Sequence, residues 1–210
     1  MHLASHVGAV GARRLAHPAA ATRGSQPRLE PLHRSHPLRA SCEDFIVARF
    51  ERAYGARVAS FSPYLLGVRD ALGRWRAASG YTPADGRTLF LEQYLDLPIE
   101  RILARRGYAV GRASIVEVGN LAATSVGMAR TLIPLLARHL HRLRYEWVVF
   151  TATRELRNTF ARLGLHPLTL SAADPARLAD GGASWGSYYA MEPVLMAGRI
   201  SHALRAPLQA

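Results

Sequence analysis

The sequence predicts an α/β (α+β) fold, a mixed and partly parallel central sheet flanked by helices, and three observations predict it. Ile115 to Leu165 runs strand (IVEVGNLA), glycine-bearing turn (TSVGMAR), helix, strand (WVVFTAT), helix, an order that builds half of a ligand-binding α/β domain. Trp147-Val148-Val149-Phe150 is a continuous apolar run, as a strand covered on both faces requires, and such strands belong to parallel pairings. Arg57 to Leu66 and Val68 to Ala78 read instead as two strands joined near Asp70-Ala71-Leu72-Gly73, an antiparallel hairpin.

A chain of 210 residues with an apolar fraction of 49% supports one domain with a sizeable core plus an extension. No window approaches the ~20 apolar residues that cross a bilayer. The single cysteine, Cys42, excludes an internal disulfide and fits a reducing compartment, so the expected location is cytoplasmic. All 27 basic residues are arginine, and the net charge is +12. The excess is scattered and accompanies no nucleic-acid-reading motif, so no nucleic-acid partner is expected.

Residues 1–40 mix Ala, His, Pro, Arg and Ser with no period, which predicts a disordered extension. Its histidines (His2, His6, His17, His33, His36) are too irregular for a metal site, and no metal is expected. The folded domain is expected over 41–202, with 203–210 as a tail. Ser41-Cys42-Glu43-Asp44 reads as a helix start. Phe45, Ile46, Arg49, Phe50, Ala53 and Tyr54 follow at helical spacing, and Gly55 closes the helix. Only Arg49 interrupts that apolar face.

Gly80 to Gly86 is a loop by composition. Thr88 to Asp96 then packs apolar residues among Glu92, Gln93 and Tyr94, and Glu92 reads either as a functional carboxylate or as a structural one. Pro98 opens a helix that ends at Gly107. In the strand Ile115 to Val118 the buried position Glu117 stands out, because a carboxylate in a core strand needs either a task or an arginine partner. The turn after this strand presents helix N-terminal N–H groups, which attract anions. A close-packed strand-to-helix turn would look the same.

Val126, Ala129, Ile133, Leu136, Leu140 and Leu143 recur at helical spacing, and Pro134 implies either a kink or a regular start nearer Thr131. His139 and His141 lie on different helix faces, against a metal pair. Glu155 to Leu163 reads as a helix, and Leu168 to Leu170 and Tyr188 to Met191 as closing strands.

The segments EVGNLA, GMAR, WVVFTATRELRNTFARLGL, LFLEQYLDLPIE and WGSYY, with Pro193 and Gly198-Arg199-Ile200, resemble the thermostable hemolysin family over roughly Glu43 to Ile200. That family is similar to the GNAT-type N-acyltransferases and, within them, to the acyl-homoserine lactone synthases. The resemblance implies a GNAT-like fold and transfer of an acyl group from coenzyme A or acyl carrier protein to an amine or hydroxyl. It implies a cofactor site at Val118, Leu121, Ser125, Val126, Gly127, Met128, Ala129, Arg130 and Asn158. Where such enzymes carry Gln or Arg at the head of the phosphate turn, this chain has Thr124, so backbone N–H groups of Val126 to Arg130 would carry the pyrophosphate.

Acyl transfer needs a base, donors to the developing oxyanion and a channel that fixes the thioester. The candidates are Glu117 as base, Asn120 and the backbone near Gly119 at the oxyanion, Tyr188 or Tyr189 as proton donor to the leaving thiolate, and Glu92. Two other classes remain open: a membrane-active hemolysin, which would contact membranes at most peripherally since no pore-forming segment is visible, and a ligand-binding domain without chemistry.

Overall fold

The computed structural model describes residues 27–205. A seven-stranded sheet has the order β1-β2-β3-β4-β5-β7-β6 and consists of β1 (Leu29–Leu32), β2 (Tyr64–Arg69), β3 (Trp75–Pro83), β4 (Ile115–Ala123), β5 (Trp147–Ala152), β6 (Leu168–Ala172) and β7 (Val194–Arg199). All neighbours are antiparallel except β4 and β5, so the sheet is mixed as the apolar run at Trp147 predicts. Helices α1 (Arg39–Tyr54) and α2 (Ile99–Arg105) cover one face. Helices α3 (Val126–Arg142), α4 (Arg154–Arg162) and α5 (Ile200–Ala203) cover the other.

Several boundaries differ from expectation. Residues 27–40 are ordered rather than an irregular extension, while residues 1–26, with His2, His6 and His17, lie outside the described residues. The strand there contains Pro31, which is tolerated because β1 is an edge strand. Helix α1 begins at Arg39, whose guanidinium reaches the carbonyls of Leu32, Ser62 and Pro63 at 3.3, 2.9 and 3.0 Å and Glu43 at 2.8 Å. Ser41 lies inside the helix, its hydroxyl on the Leu38 carbonyl. Cys42 is fully buried against β1 to β4, and burial, chiefly, pushes its thiol up to about 12, which leaves it an inert core residue.

The hairpin turn sits at Asp70–Gly73 as expected, its carboxylate accepting the N–H groups of Leu72 and Arg74. The strands themselves run later, so residues 80–83 of the expected loop extend β3. Helix α3 continues through Pro134 rather than starting at Thr131. Tyr188–Met191 forms a 3-10 turn and not a strand; the closing strand is Val194–Arg199, inserted between β5 and β6.

Candidate active site

The two parallel strands run together only briefly. Their ladder extends from Ile115 opposite Trp147 to Val118 opposite Phe150, after which β4 stays with β3 and β5 with β7. At the parting β4 bulges, spending one more residue than β3 between the pairs Gly80–Gly119 and Ala78–Ala122. Asn120 absorbs the bulge with φ 50, a left-handed conformation that Asn tolerates better than most residues.

The extra residue also resets which side chains face which way. Before it, Ile115 and Glu117 face α1 and α2 while Val116 and Val118 face α3; beyond it, Ala122 faces α1 while Leu121 and Ala123 face α3.

A cavity of about 1200 Å³ occupies the parting and reaches both faces of the sheet. On the α1 face its wall includes Glu117 and the rings of Phe50, Tyr54, Phe90, Trp185 and Tyr188. On the α3 face it is lined by aliphatic and aromatic side chains such as Ile133, Leu140, Phe150 and Phe160. The N-termini of two helices converge on it, because α3 follows β4 and α4 follows β5: Ser125 and Val126 line it from one, Thr153 and Glu155 from the other. Ser125 caps α3 by accepting the Met128 N–H at 3.3 Å, and Thr153 caps α4 through the Leu156 N–H at 3.4 Å. A crevice outside the carboxyl ends of parallel strands, fronted by helix dipoles, suits an anionic ligand.

Glu117 reaches this cavity, yet only 7% of its surface is exposed. Among the described residues no arginine pairs with it. Its oxygens instead accept the N–H groups of Phe90 at 2.7 Å and Leu91 at 2.9 Å, both at the start of the 3-10 turn Phe90–Tyr94. Burial dominates and pushes its carboxyl up to about 7; the two N–H donors pull the other way, and the Glu92 carboxylate adds to the rise. Each oxygen keeps a second lone pair. The group therefore changes charge near neutral pH, where a base is useful.

The other expected residues divide. Asn120, Val118, Leu121, Ser125, Val126, Ala129 and Tyr188 line the cavity with Glu117, whereas Gly127, Met128, Arg130 and Asn158 do not. Met128 turns to the opposite side of α3, onto Val68, Ala77 and Leu132, and Asn158 is on the exposed side of α4. The side chain of Asn120 is a tether, since its Oδ1 accepts the Ser62 N–H at 2.9 Å and its Nδ2 donates to the Ser60 carbonyl at 3.4 Å.

Tyr189 also lies outside the lining and holds the Tyr94 hydroxyl at 2.6 Å. Glu92 is structural: it accepts the Leu89 and Ile99 N–H groups and a bidentate contact from Arg112 at 2.7 Å, away from the cavity. Burial pushes its carboxyl up, but those hydrogen bonds and the Arg112 charge outweigh it and leave it below the usual range.

Sequence reasoning missed Thr153 and the irregular segment 57–63, which closes the cavity beside α1. Thr153 followed by Glu155 carries a legible cap signal. Segment 57–63 carries none, because it gains its position from Asn120 and Arg39 far away in sequence.

A mixed sheet whose central parallel strands part over a cavity, with two helix N-termini at the parting, is the architecture of this chain. The chain belongs to the thermostable hemolysin family, whose sequence profile, described as "Thermostable hemolysin", matches residues 32–204. No curated protein matches it in sequence.

Among solved structures it is similar to the acyl-homoserine lactone synthase LasI, at 14% identity and TM-score 0.57 over 89% of this chain and 98% of that one. It is similar too to FeeM, an N-acyl amino acid synthase from uncultured soil microbes, at 13% identity and TM-score 0.57 over 84% and 93%. A third is MesI, a CoA-dependent acyl-homoserine lactone synthase, at 14% identity and TM-score 0.54 over 84% and 91%. At these identities the likeness concerns the fold. Among the described residues no helix is long and apolar enough to cross a membrane.

Proposed function

We propose that the protein is an acyltransferase that moves an acyl group from a thioester carrier, coenzyme A or acyl carrier protein, to an amine or hydroxyl acceptor. The observation that carries this reading is the cavity at the parting of β4 and β5, with helix N-termini on one side and Glu117, its carboxyl near 7, on the wall facing α1. The fold shared with CoA-dependent synthases supports it.

The thioester lies in the parting, its carrier's phosphates toward Ser125 and Val126 and its acyl chain along the apolar wall of α3 and α4. An acceptor amine enters from the α1 side. Its nitrogen lone pair attacks the thioester carbon, Glu117 takes the proton the nitrogen sheds, and the β4 backbone near Gly119, past the end of its pairing with β5, supports the oxyanion. As the intermediate collapses the C–S bond breaks and the thiolate is protonated through the Tyr188 hydroxyl, which burial keeps protonated and which regains the proton that Glu117 took from the nitrogen, so both side chains end as they began. The products are an amide and a free thiol.

The test is to incubate the purified chain with acyl-CoA and acyl-carrier-protein donors and a panel of amines and alcohols, following thiol release and product mass. Donor-dependent product that falls by ~100-fold or more in Glu117→Gln supports the assignment. Stabilisation by coenzyme A without product from any pair would make the cavity a binding site only, and dye leakage from liposomes with no donor consumed would favour membrane action.

A further inference from the structure

Of the α1 residues that line the cavity, Phe50, Ala53 and Tyr54 are apolar or aromatic and only Arg49 is charged. This arginine lies among Ile46, Phe50 and Ala53 on the helix face turned to the molecule, and its side chain lines the cavity. Its Nε is fully buried without a hydrogen-bond partner. Among the described residues Arg49 has no carboxylate within ion-pair reach, unlike Arg39 on the same helix, which holds Glu43, or Arg112, which holds Glu92 and Glu100. A guanidinium does not shed its charge, and a buried N–H donor on one is costly to leave without an acceptor, so the site favours an incoming anion.

The position of Arg49 is as telling as its isolation. Helix α1 packs on the sheet face that carries Glu117. Phe50, the next residue, has its ring 6.2 Å from Trp185, Trp185 lies 5.8 Å from Phe90, and the N–H of Phe90 is bound to the Glu117 carboxylate. The guanidinium and the base thus border the same half of the cavity, the half an acceptor would enter, while the acyl chain would occupy the other. A planar fork of donors pairs with the two oxygens of a carboxylate, as it does with those of a phosphate.

We propose that Arg49 receives a carboxylate carried by the acceptor, so that the acceptor is an amine bearing a carboxylate, an amino acid whose apolar side chain rests on the Phe50, Tyr54, Phe90 and Trp185 wall. This rests on the acyl-transfer reading of the cavity. It assigns Arg49 as the residue that selects the acceptor.

Product binding tests it without turnover. Calorimetry on the full chain compares N-decanoyl-L-phenylalanine with N-decanoylphenethylamine, which lacks only the carboxylate. The wild-type chain is expected to bind the acid at least about tenfold more tightly. Arg49→Met removes that preference while keeping the affinity for the neutral compound, and Arg49→Lys restores part of it. In turnover, Arg49→Met raises KM for phenylalanine and leaves KM for phenethylamine unchanged. Equal affinities in the wild type, or a preference that survives Arg49→Met, overturn the proposal whatever the enzyme does. Absence of thiol release from every donor overturns the transfer reading instead, and leaves the binding comparison to decide on Arg49.

Discussion

At Glu117 burial and hydrogen bonding act in opposite directions, and burial wins, which gives the residue two measurable consequences. As a base it must be ionised, so kcat/KM should climb as pH rises through about 7 and level off above it, a limb that vanishes in Glu117→Gln. Its effect on stability has the reverse slope. The folded carboxyl holds its proton up to about 7 while the unfolded one releases it near 4.5, so the folded state binds more protons in between and loses stability as pH rises through that window. The loss is about 3 kcal/mol at most, readable by urea unfolding at pH 5 and pH 8, and Glu117→Gln should flatten it.

Glu92 behaves as a structural acid. Removing it leaves Arg112 with Glu100 alone and strands two N–H groups, so Glu92→Ala should destabilise the fold by about 2 kcal/mol in denaturant titration. The sequence marks both acids as unusual, yet their difference depends on Arg112 and on the backbone of Phe90 and Leu91, which no local pattern ties to them.

Elements with long, regular periods were legible: α3 from its leucine and isoleucine spacing, β4 and β5 from β-branched and aromatic runs. The aromatic pair Tyr188-Tyr189 suggests a strand by the same logic, but the chain there is gathered into turns. Gly186 explains it. It adopts φ +53, and a Cβ on it would stand 2.1 Å from the Tyr54 carbonyl oxygen at the end of α1.

That close approach lets the Ser187 N–H reach Tyr54 at 2.8 Å and the Arg57 N–H reach Ser184 at 2.7 Å, stitching the loop to α1. Gly186→Ala should therefore cost at least about 2 kcal/mol and displace Trp185 from the cavity wall, seen as a change in tryptophan fluorescence. The bulge at Asn120 shows a similar limit of legibility: Gly119-Asn120 permits a left-handed residue, but only the β3 register reveals that the strand parts there.

Across the whole molecule, sheet strands β1 to β4 and strands β5 to β7 meet only along the four residue pairs from Ile115–Trp147 to Val118–Phe150, with helices packed across the seam. A ligand seated in the parting bridges both halves and should raise the melting temperature. At a hundred times its Kd it adds about 2.7 kcal/mol, or roughly 5–10 °C for a chain of this size, measured by calorimetry with and without acyl-CoA. The order in which the strands are made bears on how this sheet comes into being. Strand β7 is the last of the seven in the chain but lies between β5 and β6, and among the described residues β6 has no other neighbour. Until Val194–Arg199 is in place, β5 has an open flank and β6 has nothing to join, an invitation to intermolecular stacking that ends when that strand slides home.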